Sequence, residues 1–204
     1  MNGPLFAVGT SAGGVTVLQI LLTRLAKEFT APLCVIQHLP TNSCIDVGTV
    51  YDTTPERPVV EIEDKMPVES RHVYFAPGGY HVSIERDGCH AGVHSFALSQ
   101  EEPVHFSRPS IDLFFESAAR VYGPRLVAAL MTGANEDGAD GLCRVQDAGG
   151  VTVVQDSADA EFPIMPAAAL KRMQPDHVIT ADQLAFVFEE IWRKGLNDSS
   201  GRGI

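Results

Sequence analysis

A short apolar run, Leu5–Val8, opens directly into Gly9-Thr10-Ser11-Ala12-Gly13-Gly14, and from Val15 onward apolar residues recur at helical spacing. A strand that turns through glycines into an amphipathic helix is the first half of a parallel βαβ unit, and it narrows the fold more than any other feature of the chain. Val15, Val17, Leu18, Leu21, Leu22 and Leu25 carry the helix, with Lys27 near its end. Leu33–Gln37 is the next strand. Its hydrophobicity is continuous rather than alternating, as a sheet covered on both faces requires. Val59–Ile62 reads as a third.

The middle of the chain has a different texture. His72–Ala76 and His81–Glu85, split by Pro77-Gly78-Gly79-Tyr80, read as a β-hairpin, and Ala91–Leu98 adds extended structure. Ser110–Tyr122 is a helix with Ile111, Phe114, Phe115 and Ala118 on one face. Leu126–Met131 is a wholly apolar strand, and Gly138–Ala148 a helix closed by Gly149-Gly150. Val151–Val154 is a strand. Pro166 suits the first turn of a helix to about Met173, with Lys171 and Arg172 near its negative end. His177–Ile179 and Ala181–Arg193 are the last strand and helix. The expected class is α/β: an open, mostly parallel, doubly wound sheet flanked by helices, with an antiparallel β-hairpin as insertion or edge. Residues 1–196 are expected to form one domain, which 204 residues can supply with a substantial core, and 197–204 a disordered tail.

Charge narrows the partners. A formal net charge of -11 argues against nucleic acid and against adhesion to anionic membranes, both of which need clustered Lys and Arg. Cys34, Cys44, Cys89 and Cys143 are scattered, without a C-x-x-C pair. Cys34 and Cys143 sit in apolar stretches and read as small buried side chains. The opening Met1–Leu5 lacks a basic region and a long apolar run, and no stretch approaches membrane-spanning length, so a cytoplasmic location is expected. His90 and His94 have a metal-compatible spacing, but Gly88–Gly92 reads as a hairpin edge and no third ligand follows; neither a metal nor a cofactor is expected.

Three loops at the carboxyl ends of strands carry unusual residues, and in a parallel sheet those ends share one edge. Gly9-x-Ser11-x-Gly13-Gly14 has the pattern of a nucleophile elbow, in which a tight strand-to-helix turn projects a serine hydroxyl. The helix start behind it offers unpaired N–H groups to a developing oxyanion. The alternatives for such a loop are phosphate binding and a merely structural glycine turn. A dinucleotide fold, however, favours an acidic residue after the second strand, and this chain has Gln37-His38-Leu39-Pro40. An imidazole there can take and return a serine proton. The third loop, Met131–Gly141, holds Glu136, Asp137 and Asp140, any of which could orient the imidazole. Asp137 could instead cap the next helix; the ligand spacing of a calcium loop is absent.

Together the loops resemble the signature of the CheB-type protein-glutamate methylesterase catalytic domain: Gly-x-Ser-x-Gly-Gly at Gly9–Gly14, Gln-His-x-Pro at Gln37–Pro40, and Thr-Gly-x-x-x-Asp-Gly-Ala at Thr132–Ala139. Tyr74–Gly79, His81, Ser107–Asp112, Ala148–Gly150 and Met165-Pro166 extend the similarity from about Phe6 to the last helix. The resemblance implies Ser11 as nucleophile, His38 as general base and acid, and Asp137 as the residue that orients His38. Backbone N–H groups around Ala12 and Ala134 would serve the oxyanion. The implied reaction is hydrolysis of glutamyl γ-methyl esters on the cytoplasmic helices of methylated chemoreceptors, with deamidation of receptor glutamines as a second activity. A separate receiver or scaffold protein is a further implied partner. Order along the chain excludes the ordinary α/β-hydrolase, where the acid precedes the histidine.

The chain also departs from the family pattern. Ala12 stands where Thr is usual, Ala134 where Met is, and Asn135 where Gly is; Thr41–Asp46 lacks the usual arginine, and Ile164 replaces a glycine. The receiver domain that precedes the catalytic domain in full-length relatives is missing, so the chain is either a single-domain relative or a piece of a longer protein. The substitutions keep open a binding or regulatory module without turnover, and the triad residues alone leave open a related hydrolase outside chemotaxis. His72, His81, His105 and His177 read as structural or surface residues. Arg108 reads equally as a surface residue or as a contact to an acidic receptor helix, and Trp192 as a core anchor.

Overall fold

The computed structural model describes residues 3–38, 50–51, 57–86 and 94–200, the last five of these by backbone alone. Leu39–Thr49, Asp52–Glu56 and Asp87–Val93 lie outside it, and with them the Thr41–Asp46 stretch, Cys44, Cys89 and His90.

Among the described residues seven parallel strands form the main sheet: β1 (Leu5–Thr10), β2 (Leu33–Gln37), β3 (Val59–Glu61), β4 (Val73–Phe75), β7 (Leu126–Leu130), β8 (Val151–Gln155) and β9 (His177–Ile179), in the order β3-β4-β2-β1-β7-β8-β9. From β1 the chain first winds outward through β2 and then returns to the other side at β7. The order reverses there, which leaves the ends of β2, β1 and β7 side by side.

Alternate strand residues supply two separate cores, which is why these strands are apolar throughout. Leu5, Ala7, Leu126, Ala128 and Leu130 face one side, with Ile111, Phe114, Phe115, Leu142, Val145 and Met165 from helices α2 (Ile111–Tyr122), α3 (Ala139–Asp147) and α4 (Ile164–Arg172). Phe6, Val8, Val127 and Ala129 face the other, with Val17, Leu18, Leu21, Phe188 and Trp192 from α1 (Gly14–Arg24) and α5 (Leu184–Ser200). Burying each Val, Leu, Ile, Phe or Met side chain among these stabilises the fold by about 1.5–3 kcal/mol. Trp192 tilts onto Phe29 at 5.4 Å between ring centres, the anchor role expected of it. Cys34 is wholly buried and burial pushes its thiol pKa up; Cys143, expected to be buried, is only half-buried.

The antiparallel hairpin is present but is built from different strands than the turn signals suggested. β4 pairs in parallel with β2 and β3, whereas β5 (His81–Arg86) pairs with β6 (His94–Ser99) in a sheet of two strands. Val82, Ile84 and Phe96 of this hairpin are buried in the core of the first face. Gly78 and Gly79 therefore turn the chain out of the main sheet rather than back along it. At the other end the backbone of α5 continues through Ser200, so residues 197–200 of the expected tail are helical, while 201–204 lie outside the described residues.

Candidate active site

The edge where β2, β1 and β7 end is stitched by backbone bonds. Ser11 N donates to Thr132 O at 3.0 Å, His38 N to Thr10 O at 3.0 Å and Met131 N to Gly9 O at 2.9 Å. Thr132 adds side-chain links: its Oγ1 donates to Ala12 O at 3.0 Å and accepts from Phe162 N at 2.9 Å. The first loop then turns at Gly13, whose φ of 78° is costly for any residue with a Cβ, and α1 begins. Gly138 does the same before α3, with φ 93°.

Of the three acids in the third loop, only Asp137 reaches the imidazole. Its Oδ2 lies 2.7 Å from His38 Nε2, and its side chain has no exposed surface. Glu136 and Asp140 instead face outward to Arg172, at 2.6 and 3.0 Å. The Asp137 carboxylate also accepts from Ile111 N at 2.7 Å, Asp112 N at 3.1 Å and Ser110 Oγ at 2.9 Å. Ser110 is the N-cap of α2, so the carboxylate occupies the anion seat at that helix N-terminus. Asp137 thus caps a helix, though α2 rather than the one that follows it. Burial pushes its pKa up, but the bond to His38 and the amides of Ile111 and Asp112 outweigh burial and hold it below the usual carboxylate range.

An ionised carboxylate can only accept, so His38 Nε2 carries a proton and Nδ1 in the neutral ring is bare. Nδ1 faces Ser107 Oγ at 3.2 Å. Asn135 Nδ2 donates to that same hydroxyl oxygen at 3.2 Å, and its Oδ1 accepts from Asp137 N at 3.2 Å. The Asn at this position ties the third loop to the segment before α2, a bond that Gly could not make. Ser11 lies one residue beyond Thr10, which is bonded to the His38 backbone, but among the described residues its hydroxyl has no hydrogen-bond partner. Nor have the amides of Ala12 and Ala134, beside the start of α1 and in the third loop.

Ser107, Ser110 and Asn135 received no role from the sequence, although Ser110 immediately before an apolar helical stretch was a readable N-cap signal. His81 is another. It is buried, its Nδ1 accepts from Ser110 N at 3.1 Å, and its Nε2 donates to Glu102 O at 3.1 Å, so it positions the residue that positions Asp137. Arg108 is occupied within the fold, donating from Nη1 to Gln100 O and Glu101 O at 3.1 and 2.9 Å. Among the described residues no group of three or more His, Cys, Asp or Glu side chains is arranged to hold a metal. No helix there is long and apolar enough to cross a membrane.

The family model for CheB methylesterase matches residues 6–187. The chain belongs to that family. A protein of Leptospira interrogans, provisionally named a protein-glutamate methylesterase/protein-glutamine glutaminase, is 36% identical over 196 residues, which cover 96% of this chain and 98% of that one. A protein-glutamate methylesterase/protein-glutamine glutaminase of Hahella chejuensis is 35% identical over 89% of this chain, which spans only 49% of the Hahella protein. Among solved structures, the catalytic domain of the Thermotoga maritima CheB methylesterase matches with a TM-score of 0.86 and 28% identity, over 93% of this chain and 98% of that domain. The open sheet with its separate hairpin is thus the fold of the CheB catalytic domain.

Proposed function

We propose that the chain is a serine hydrolase that removes γ-methyl esters from glutamyl side chains of chemoreceptors, with Ser11, His38 and Asp137 as its reacting and orienting residues. Glutamine deamidation at the same sites is its second activity. The observation that carries the reading is the His38–Asp137 pair: a buried carboxylate, held ionised by its bond to the imidazole and by a helix N-terminus, 2.7 Å from a ring whose other nitrogen faces the Ser107 hydroxyl at 3.2 Å and is the one placed to act as a base.

In this mechanism Ser11 Oγ attacks the γ-carbonyl carbon while His38 Nδ1 takes the hydroxyl proton. Asp137 stabilises the resulting imidazolium and keeps the ring in its orientation. The unpartnered amides of Ala12 and Ala134 are the candidates for the oxyanion; because the donors are backbone, the substitution of Thr and Met by alanine at these positions does not remove them. The tetrahedral intermediate collapses, the C–O bond to the methoxy group breaks, and His38 returns the proton to release methanol. Water then attacks the acyl-enzyme by the same route, regenerating Ser11 and a free glutamate. For glutamine the leaving group is ammonia, and the steps are otherwise the same.

The partner is a helical, methyl-esterified receptor segment, and the site of action is the cytoplasmic side, where such segments lie. The test is methanol release from a methylated receptor fragment. Wild-type protein is expected to release it and Ser11→Ala to lose at least about 10³-fold of the rate. Tight binding of the fragment with no release, unchanged by Ser11→Ala, would contradict the reading and leave a binding module in its place.

A further inference from the structure

We infer that Ser107 is a second hydroxyl of this machinery, a positioning residue that holds the bare nitrogen of His38 until Ser11 engages it. The inference rests on the reading of Ser11, His38 and Asp137 given above. Ser107 Oγ is 3.2 Å from His38 Nδ1, the nitrogen that must receive the nucleophile's proton. One lone pair therefore has two claimants.

The surroundings of Ser107 allow it to give way. Among the described residues its single proton has two acceptors within reach, His38 Nδ1 at 3.2 Å and His105 O at 3.4 Å. Asn135 Nδ2, donating to Oγ at 3.2 Å, keeps the oxygen in place while the proton swings between them. Pointed at Nδ1, the proton satisfies the neutral imidazole and fixes the ring plane. Turned to His105 O, it vacates Nδ1 for the Ser11 hydroxyl and presents a lone pair to the imidazolium that forms. Ser107 keeps its own proton throughout. The one that moves comes from Ser11 and leaves on methanol.

The backbone does not need this hydroxyl. Val104 and Ser107 already exchange amide–carbonyl bonds at 3.1 and 2.8 Å, closing a two-residue turn. That turn sets His105 and Phe106 at φ 48° and 60°, a pair of positions where glycine and asparagine are favoured. Two consecutive left-handed residues with side chains are strained. The strain is retained where the turn delivers Ser107 to His38, while Phe106 beside it stands fully in solvent.

Ser107→Ala, Ser107→Thr and Ser11→Ala in the full chain separate the roles. Methanol release from the methylated receptor fragment by Ser107→Ala is expected to show kcat reduced about tenfold with KM within about twofold, the size of one lost hydrogen bond. Ser107→Thr, which keeps the hydroxyl, restores most of the rate. Nitrogen NMR of the histidines gives a readout that does not depend on turnover: the His38 Nδ1 resonance moves in Ser107→Ala and stays in Ser107→Thr. An unchanged kcat and an unmoved Nδ1 resonance in Ser107→Ala would overturn the role of Ser107 alone, provided Ser11→Ala is inactive. An active Ser11→Ala beside an inactive Ser107→Ala would make Ser107 the nucleophile and overturn both readings. Should wild-type protein release no methanol, the hydrolase reading fails and this role with it, whatever the resonance does.

Discussion

Two neighbouring carboxylates, Asp137 and Asp112, meet opposite fates within one helix turn. Asp137 is fully buried yet held ionised, because an imidazole and two helix amides face it. Asp112 is less buried; Gly141 N donates to it at 2.6 Å and His105 Nε2 lies 3.5 Å from its Oδ2, but burial and the Asp137 charge beside it outweigh the amide bond, and its pKa is raised to about 6. A carboxyl whose folded pKa lies above its unfolded value binds its proton more tightly in the native state, so its ionisation opposes folding. That penalty is fully present above about pH 6 and fades as pH falls toward the unfolded value of 3.8. Asp112→Asn is therefore expected to raise the melting temperature at pH 7.5, with about half the gain remaining at pH 5. Thermal unfolding across that range checks it; a gain that grows as pH falls would contradict it. Composition could not choose among Glu136, Asp137 and Asp140, since all three share a loop. Geometry separates them by direction, one inward to His38 and two outward to Arg172.

The element that matters most to the site is the N-terminus of α2. Ser110 caps it, its first amides hold Asp137, and its residue Ile111 packs under the first and third loops. Gly138 is the counterpart on the third loop, since a Cβ there would lie 2.5 Å from Leu130 Cδ1 and 2.6 Å from Ile111 Cγ2, at a φ that side chains rarely adopt. Gly138→Ala is expected to destabilise the protein by more than about 2 kcal/mol, through overpacking and backbone strain together. Urea unfolding measures it; a loss below about 0.5 kcal/mol would show that α2 yields without cost. Helices and strands were legible as elements because their spacing and glycine punctuation are local properties. Pairing is not local. His72–Ala76 and His81–Glu85 looked like a hairpin because a glycine turn separates them, but a turn signal says nothing of which neighbour a strand joins. The need to bury β4 between β2 and β3 decided it.

On the scale of the whole molecule, the site exists because the chain winds outward from β1 on one side and returns on the other, bringing residues 11, 38 and 137 to one edge. Continuous apolar strands and alternating helices made an open parallel sheet readable, and with it the expectation that the three loops share one edge, but not the strand order that brings them together. The partners that tune the site were not readable. Ser107 comes from the connection between β6 and α2, and His81 from the first strand of the hairpin, both remote in sequence from the loops they serve. Nothing in a local pattern announces such a contact. The central claim is that this edge activates Ser11 as a nucleophile, and labelling with a fluorophosphonate tests it most directly. Folded protein is expected to take up one equivalent, mapped by peptide mass to Ser11, with uptake abolished by His38→Ala and by unfolding. Absence of uptake by folded protein, or an adduct mapped to a serine other than Ser11, would contradict the account.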